Sequence, residues 1–337
     1  MRTAHGILMG FALLALSVQA ETGYKVVARY PVPGNGGFDY VTLDAAARRV
    51  YIAHGTQVDV VNADSGQVVG SLANTPGVHG VALALPLHRG FTSNGAENKV
   101  MIFDPATLHE IKRIDVGKGP DGIYFDPATK RIFTNNHGTH DVSAIDAEKG
   151  EVVGTVKLEG DGEQPVLADG LFYVNSEDTD EVVVFSPKTL QVTRRLPIGV
   201  AKTPTGLAYD PAKKRLFIAT RNPPKMVVMD AVSGKVITSF PIASGADWAH
   251  FDPDAKLIFV STSAGTLNIF HQKSADEYED AGAVKTQPSA KTMAFDPKSK
   301  KIFLPSAEYE MSPNADPGKQ PRRSIKPGSF ALLVVAK

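Results

Sequence analysis

The sequence predicts an all-β protein, a seven-bladed β-propeller of four-stranded blades. Three observations support this prediction. A strand, Asp-Pro turn, strand unit returns about every 42 residues, and two further strand-like segments follow each unit. A third observation concerns the ends of the chain, where one unassigned strand near the N-terminus matches one missing strand in the last repeat.

The repeated unit is clearest in three copies. Residues 122–133 (GIYFDPATKRIF), 206–217 (GLAYDPAKKRLF) and 293–303 (MAFDPKSKKIF) share the same order of apolar strand, Asp-Pro turn, basic residue and aromatic-led strand. The aromatic of the second strand serves as a marker, and its seven occurrences lie 40 to 44 residues apart: Tyr51, Phe91, Phe133, Tyr173, Phe217, Phe259 and Phe303. Seven markers predict seven blades.

A third strand follows each polar loop after the marker strand, as in residues 58–62 and 142–146, and a fourth strand follows a short turn. Gly66, Gly150 and Gly234 stand in these turns, where a tight hairpin needs positive φ. The last repeat ends with its third strand near 330–336, so its fourth strand is missing. Residues 24–32 resemble the fourth strands of other repeats, and we expect them to pair into the seventh blade and close the ring, which leaves no open sheet edge at the junction.

Composition excludes several classes of function. Lys plus Arg and Asp plus Glu are both 36, so no basic excess favours nucleic acid. The absence of Cys excludes thiol catalysis, disulfides, iron–sulfur clusters and covalent haem.

An apolar run over 7–16 before Val18-Gln19-Ala20 is typical of a cleaved secretory signal and is too short to span a bilayer. We therefore predict a signal peptide at 1–20, a single domain at 21–337, no membrane span, a monomer, and a periplasmic or secreted location.

The second strands carry a recurring polar ending, in 91–94 (FTSN), 133–136 (FTNN) and 173–176 (YVNS), and a strand such as 142–146 (VSAID) follows. These motifs resemble the YVTN-repeat propellers of the YncE-like family, over essentially all of residues 24–337. The resemblance implies the propeller fold and an extracytoplasmic setting. It leaves the activity open, because related propellers are binding scaffolds, lactone-cleaving enzymes and cofactor-bearing redox subunits.

Candidate site residues fall on one predicted face, the mouth of the central channel. The residue just before the position of Gly122 is polar or charged in every repeat: Asp39, His79, Asp121, Gln164 or Glu163, Thr205, Asp247 and Lys291. The loops after the second strands add His54, His137 and Arg221. Asp39, His79, Asp121 and Asp247 are possible ligands of a divalent cation. The sequence identifies no cofactor beyond this, and a non-covalent organic cofactor stays open. The alternative is structural ion pairing, with Lys291 neutralising Asp39 and Asp247.

A long segment, 307–329, interrupts the seventh repeat and carries several cations that would favour an anionic ligand; it is either a lid or disordered. The leading functional hypothesis is an extracytoplasmic binding or scaffold protein whose channel-mouth face binds a small molecule or a protein partner, without assigned catalysis. The alternatives are a metal-assisted lactone hydrolase or lyase and an accessory protein for a cofactor-bearing redox enzyme.

Overall fold

A computed structural model describes residues 22–34, 36–311 and 323–337. Blade 1 contains β2 (Phe38–Asp44), β3 (Arg49–His54), β4 (Gln57–Asn62) and β5 (Val68–Leu72). Blade 2 contains β6 (Val78–Ala84), β7 (Arg89–Asn94), β8 (Lys99–Phe103) and β9 (Glu110–Asp115). Blade 3 contains β10 (Pro120–Asp126), β11 (Arg131–Asn136), β12 (Asp141–Asp146) and β13 (Glu151–Lys157).

The next three blades repeat the pattern. Blade 4 contains β14 (Gly162–Ala168), β15 (Leu171–Ser176), β16 (Glu181–Phe185) and β17 (Val192–Pro197). Blade 5 contains β18 (Lys202–Asp210), β19 (Arg215–Asn222), β20 (Pro224–Asp230) and β21 (Val236–Pro241). Blade 6 contains β22 (Ala246–Asp252), β23 (Leu257–Thr262), β24 (Thr266–Gln272) and β25 (Tyr278–Lys285). Within each blade, consecutive strands are antiparallel neighbours.

Blade 7 joins the two ends of the chain. Its strand order is β26 (Ala294–Phe295), β27 (Ile302–Ser306), β30 (Ala331–Ala336) and then β1 (Lys25–Pro31). The N-terminal strand β1 pairs antiparallel with β30, from Lys25 opposite Ala336 to Pro31 opposite Ala331. The predicted seven-bladed propeller, closed by its N-terminal strand, is therefore confirmed.

The repeated residues of the sequence have local structural reasons. In five of the seven blades an Asp at the end of the first strand accepts hydrogen bonds from turn amides, as when Asp44 Oδ1 accepts from Ala46 and Ala47 at 3.0 and 2.9 Å. The basic residue of the same turn adopts positive φ, as Lys130 does at 53°. All seven marker aromatics are buried, Tyr173 being the most accessible at 3%. Each of them packs between its own blade and a neighbouring blade. The aromatic residues therefore recur in the sequence once for every interface between blades.

Two features complete the description. Within the described residues, the helical turns are three short 3-10 turns, at Leu85–Leu87, Gly95–Glu97 and His137–Thr139, and no helix of that part is long and apolar enough to cross a membrane. The predicted segment 307–329 contributes a short hairpin of β28 (Tyr309–Met311) and β29 (Arg323–Ile325). Residues 312–322 between these strands lie outside the described residues, as do residues 1–20 of the predicted signal peptide.

Candidate functional site

A β-bulge places one side chain of each first strand at the channel mouth. The pairing of first and second strands slips by one residue at this point in blades 1 to 6. A bulge turns a side chain out of the regular alternation of the strand. The residues inside these slips are Asp39, His79, Asp121, Glu163 with Gln164, Thr205 and Asp247. Lys291, just before β26, occupies the corresponding place in blade 7.

Side-chain hydrogen bonds between blades hold the backbone of these bulges. In each case a polar side chain of one blade donates to a main-chain carbonyl in the next blade. Asn135 Nδ2 of blade 3 donates to the carbonyls of Gly162 and Glu163, at 3.0 and 2.8 Å. Equivalent bonds join Ser93 to Asp121, Asn175 to Gly206, Ser261 to Lys291 and Thr292 to Asp39. The Asn of the repeated Thr-Asn and Val-Asn motifs therefore positions the channel-mouth residue of the following blade.

Lys291 connects blades 6, 7 and 1. Its Nζ lies 2.6 Å from Asp247 Oδ2 and 3.3 Å from Asp39 Oδ1. Asp247 is also bound by the guanidinium of Arg221, whose other terminal nitrogen lies 3.0 Å from Glu177 Oε1. Burial alone would lower the pKa of Lys291, but the neighbouring charges of Asp247 and Asp39 raise it well above its usual range. Lys291 is therefore a permanent cation at the mouth.

Two histidines extend this line of side-chain contacts from blade 1 to blade 3. His79 Nδ1 lies 2.7 Å from Asp39 Oδ2 and 3.2 Å from Asp121 Oδ1, and His137 Nε2 lies 3.0 Å from Asp121 Oδ2. The ring of His79 lies close over Gly95, where a Cβ would come within 2.9 Å of Nε2. Burial opposes the charge of both histidines, but the hydrogen bonds to Asp39 and Asp121 outweigh it. The pKa of His79 is raised, and that of His137 is raised to about 9.

Glu163 and Glu177, whose carboxyl groups are in contact, complete this line of contacts around the channel mouth. Burial raises the pKa of Glu163 well above its usual range, and the charges of Asp121 and Asp247 and a hydrogen bond to Glu177 raise it further. Glu163 is therefore a neutral acid that donates to Glu177. We use the name channel-mouth ring for the resulting closed set: Asp39, His79, Asp121, His137, Glu163, Glu177, Arg221, Asp247 and Lys291. Acids and bases alternate around most of it.

The predicted site residues divide into two groups. One group belongs to the channel-mouth ring: Asp39, His79, Asp121, His137, Glu163, Arg221, Asp247 and Lys291. Thr205 and His54 lie outside it, and Thr205 Oγ1 donates to the carbonyl of Ala246 at 2.8 Å. His54 is buried within blade 1 instead, where its Nδ1 lies 2.7 Å from Asp59 Oδ2 and its ring packs on Phe330 at 4.1 Å. Of the four possible metal ligands, Asp39, His79 and Asp121 offer ligand atoms within 4.8 Å of one another. Asp247, the fourth, is engaged by Lys291 and Arg221.

The structure also assigns places that the sequence left open. The pairing of Gly162 with Ser176 matches that of Pro120 with Asn136, so Glu163 rather than Gln164 is the counterpart of Asp121. Gln164 instead bonds to the first strands of blades 5 and 6: its Oε1 accepts from the amides of Leu207 and Ala249, and its Nε2 donates to the carbonyl of Ala249, each at 2.9 Å. A further acid, Asp161, lies 2.9 Å from Nδ1 of His140. Asp161 precedes the repeated column, so no pattern in the sequence marked it.

Comparison with known proteins concerns the fold. No protein-family model matches the chain, and no curated protein matches it by sequence. A solved Kuenenia stuttgartiensis hydrazine synthase chain is similar in structure, with a TM-score of 0.70 and 16% identity, covering 81% of this chain and 94% of that one. A chain of a mitotic checkpoint complex has a TM-score of 0.73 and 13% identity, covering 97% and 99%. At these identities, the similarities show the propeller fold.

Proposed function

We propose that this protein is an extracytoplasmic propeller of the YncE-like type that binds a small organic anion, carrying a carboxylate or a phosphate, at the channel-mouth ring. The observation that supports this is the layering of charge within the ring. The basic side chains are the more exposed: His79 at 41%, Arg221 at 35% and Lys291 at 34%. The acids beneath them are less exposed: Asp39 at 17%, Asp121 at 10% and Asp247 at 3%. A ligand entering the mouth meets N–H donors first.

The ring also retains donor capacity beyond its internal bonds. The ammonium of Lys291 has three donors and two neighbouring carboxylates. Arg221 has five N–H groups and bonds to Glu177, Asp247 and the carbonyl of Ala246. These groups are held in place by the acids below, so binding requires little reorganisation of the protein. A carboxylate or phosphate is the ligand group that such donors bind most strongly.

A metal-assisted hydrolase or lyase is the second candidate, and the grouping of Asp39, His79 and Asp121 favours it. A cation there could polarise a carbonyl or lower the pKa of a bound water. Two contacts count against this candidate. Lys291 already neutralises Asp39, and the Nδ1 proton of His79 is directed at the same carboxylate at 2.7 Å. Elemental analysis, with thermal melting in EDTA and in added Ca²⁺, Mn²⁺ or Zn²⁺, separates the two candidates.

The test of anion binding compares two identical substitutions on opposite faces. Purified protein is melted with a panel of small carboxylates and phosphate esters, and a ligand at ~100 times its Kd should add ~2.7 kcal/mol to stability. His79→Asn retains a donor toward Asp39 and removes the outer edge of the ring, so we expect at least tenfold weaker binding. His109→Asn, on an exposed turn of the opposite face, should bind normally. Equal losses in both variants, or no anion that shifts melting, would overturn the proposal.

The proposed location has its own test. The protein is expressed with its N-terminal segment in a bacterial host, cells are fractionated, and the mature chain is analysed by mass spectrometry. Cleavage after Ala20 and recovery outside the cytoplasm are expected from the signal pattern of the sequence. An uncleaved chain in the cytoplasm would contradict the extracytoplasmic assignment without affecting the anion-binding test.

A further inference from the structure

A cavity lies in the channel beyond the channel-mouth ring. Its volume is about 600 Å³, and it extends from Tyr40 past Thr42 to Asp44 and Ala46, along the first strands of the propeller. Ala46 and Leu85, at its far end, are exposed on the opposite face. The hydroxyl of Tyr40 lies 3.4 Å from Asp121 Oδ2 and marks its boundary with the ring. We call this cavity the lower chamber.

Aromatic side chains from four blades form the wall of the lower chamber: Tyr40, Tyr124, Trp248, His250 and Phe295. Two pairs are in contact. The rings of Tyr40 and Trp248 lie 5.3 Å apart, and those of His250 and Phe295 are stacked at 4.4 Å. Met293 adds a polarisable thioether to the wall. Ligand cavities of roughly 300–1,000 Å³ with mainly apolar and aromatic walls are typical of small-molecule sites.

The chamber offers no uncompensated charge to an ionic ligand. Burial lowers the pKa of His250 to about 4, and it raises the pKa of Tyr40 and of Tyr124 well above 10, so all three are neutral at pH 7. Asp44 is occupied by the amides of its own turn. Lys300, whose Nζ lies 5.5 Å from the Phe295 ring centroid, pairs with Asp252 and Asp254 at 2.9 and 2.7 Å.

We infer that the lower chamber is a binding site for an uncharged aromatic molecule of two or three rings, entering from the face opposite the channel-mouth ring. The flat rings of such a ligand match the stacked walls, and its burial removes apolar surface from water on both sides. A charged ligand would lose its hydration without gaining a partner. This site is separate from the anion site, and neither inference depends on the other.

Trp248 makes the inference directly testable, because it is the only Trp of the chain and it lines the chamber. The probe is phenylnaphthylamine, a neutral dye that fluoresces in apolar surroundings and accepts energy from Trp. Excitation at the red edge of Trp absorption should give saturable, one-to-one sensitised emission. Anilinonaphthalene sulfonate carries the same rings and one charge, and we expect it to displace the neutral dye only at concentrations at least tenfold higher.

Variants then locate the bound dye. Phe295→Ala removes one wall of the chamber and should weaken binding at least fivefold. Phe240→Ala is the matched control, because Phe240 is also half-buried but packs on Phe270, away from the chamber. Trp248→Phe preserves the wall, so directly excited dye should still bind while sensitised emission is lost. This second variant tests the location even if Phe295→Ala fails to fold.

Several results would overturn the inference. Absence of saturable dye binding, equal displacement by the charged analogue, or equal effects of Phe295→Ala and Phe240→Ala would each show that the lower chamber does not select neutral aromatic molecules. Weaker directly excited binding in Phe295→Ala, together with unchanged binding in Phe240→Ala and Trp248→Phe, would support it. Displacement of the dye by an anion that binds the channel-mouth ring would show that the two sites are one, and would also overturn the inference.

Discussion

The charge on His137 provides the sharpest quantitative prediction. His137→Gln retains an amide donor at the position of Nε2, which lies 3.0 Å from Asp121 Oδ2, and removes the positive charge. The pKa of His137 is about 9 in the folded protein, against an ordinary value of 6.5. At about 1.4 kcal/mol per unit of pKa, this difference corresponds to about 3 kcal/mol of folding free energy. The side chain is 29% exposed, so the full figure is an upper bound.

The sign of the effect follows from the direction of the change. A pKa raised by folding stabilises the protein fully below about 6.5, and this contribution disappears as pH rises through about 9. The stability difference between wild type and His137→Gln should therefore be largest near pH 6 and vanish above about pH 10. Reversible urea denaturation at a series of pH values measures it. His109→Gln, on the opposite face, is the control and should show no comparable dependence.

Two outcomes would refute this reasoning. One is a stability difference that stays constant or grows with pH, which would show that His137 acts through packing rather than through its charge. The other is an NMR titration of the His137 ring with a midpoint near 6.5, which would show that Asp121 does not hold its proton. The NMR measurement is independent of stability, so it remains informative if the variant unfolds irreversibly.

Three further predictions concern the ring and its support. Glu163→Gln keeps the hydrogen-bond donor to Glu177 and removes an acid whose pKa is raised by folding. Above about pH 4.5 the wild type should therefore become less stable than this variant, by up to ~1.4 kcal/mol per pH unit, as measured by urea denaturation. Asn135→Asp should lower the free energy of unfolding by about 3 kcal/mol, because a carboxylate then faces two carbonyls; the exposed Asn74→Asp should change it little. Deletion of residues 22–32 exposes the edge of β30, so aggregation in size-exclusion chromatography is expected.

Local chemistry made the fold predictable. The turn Asp of five blades accepts hydrogen bonds from amides of its own turn, and a buried aromatic packs against the neighbouring blade in all seven, so these residues recur with the period of the blades. The closure of the ring could also be predicted, because the last repeat lacks a fourth strand and the unassigned strand near the N-terminus can supply it. The β-bulges could not be predicted, since nothing in the composition of the first strands distinguishes a bulged residue from a regular one.

The site was less predictable because one residue of register decides which way a strand side chain points. His54 ends β3 at the position that Asn136 holds in β11, as their pairing with Phe38 and Pro120 shows, and both bond to an Asp within their own blade. His137, one residue beyond, reaches Asp121 across the mouth. The same single step separates Glu163 in the ring from Gln164 outside it. A periodic alignment places such residues near the mouth and does not determine which of them meet.

The channel-mouth ring is part of the closure of the propeller as well as a candidate site. Lys291 of blade 7 pairs with Asp39 of blade 1, and Thr292 Oγ1 donates to the carbonyl of Asp39 at 2.7 Å. These contacts span the junction that β1 seals on the outside of blade 7. A ligand that drew Lys291 away from Asp39 would remove one of the two basic partners of a poorly exposed carboxylate, leaving only His79, and would weaken the junction. An anion should therefore bind to N–H groups that are not already bonded to the acids of the ring. Substitution at the exposed edges of His79 and Arg221 can then change ligand specificity without breaking the Lys291–Asp39 contact.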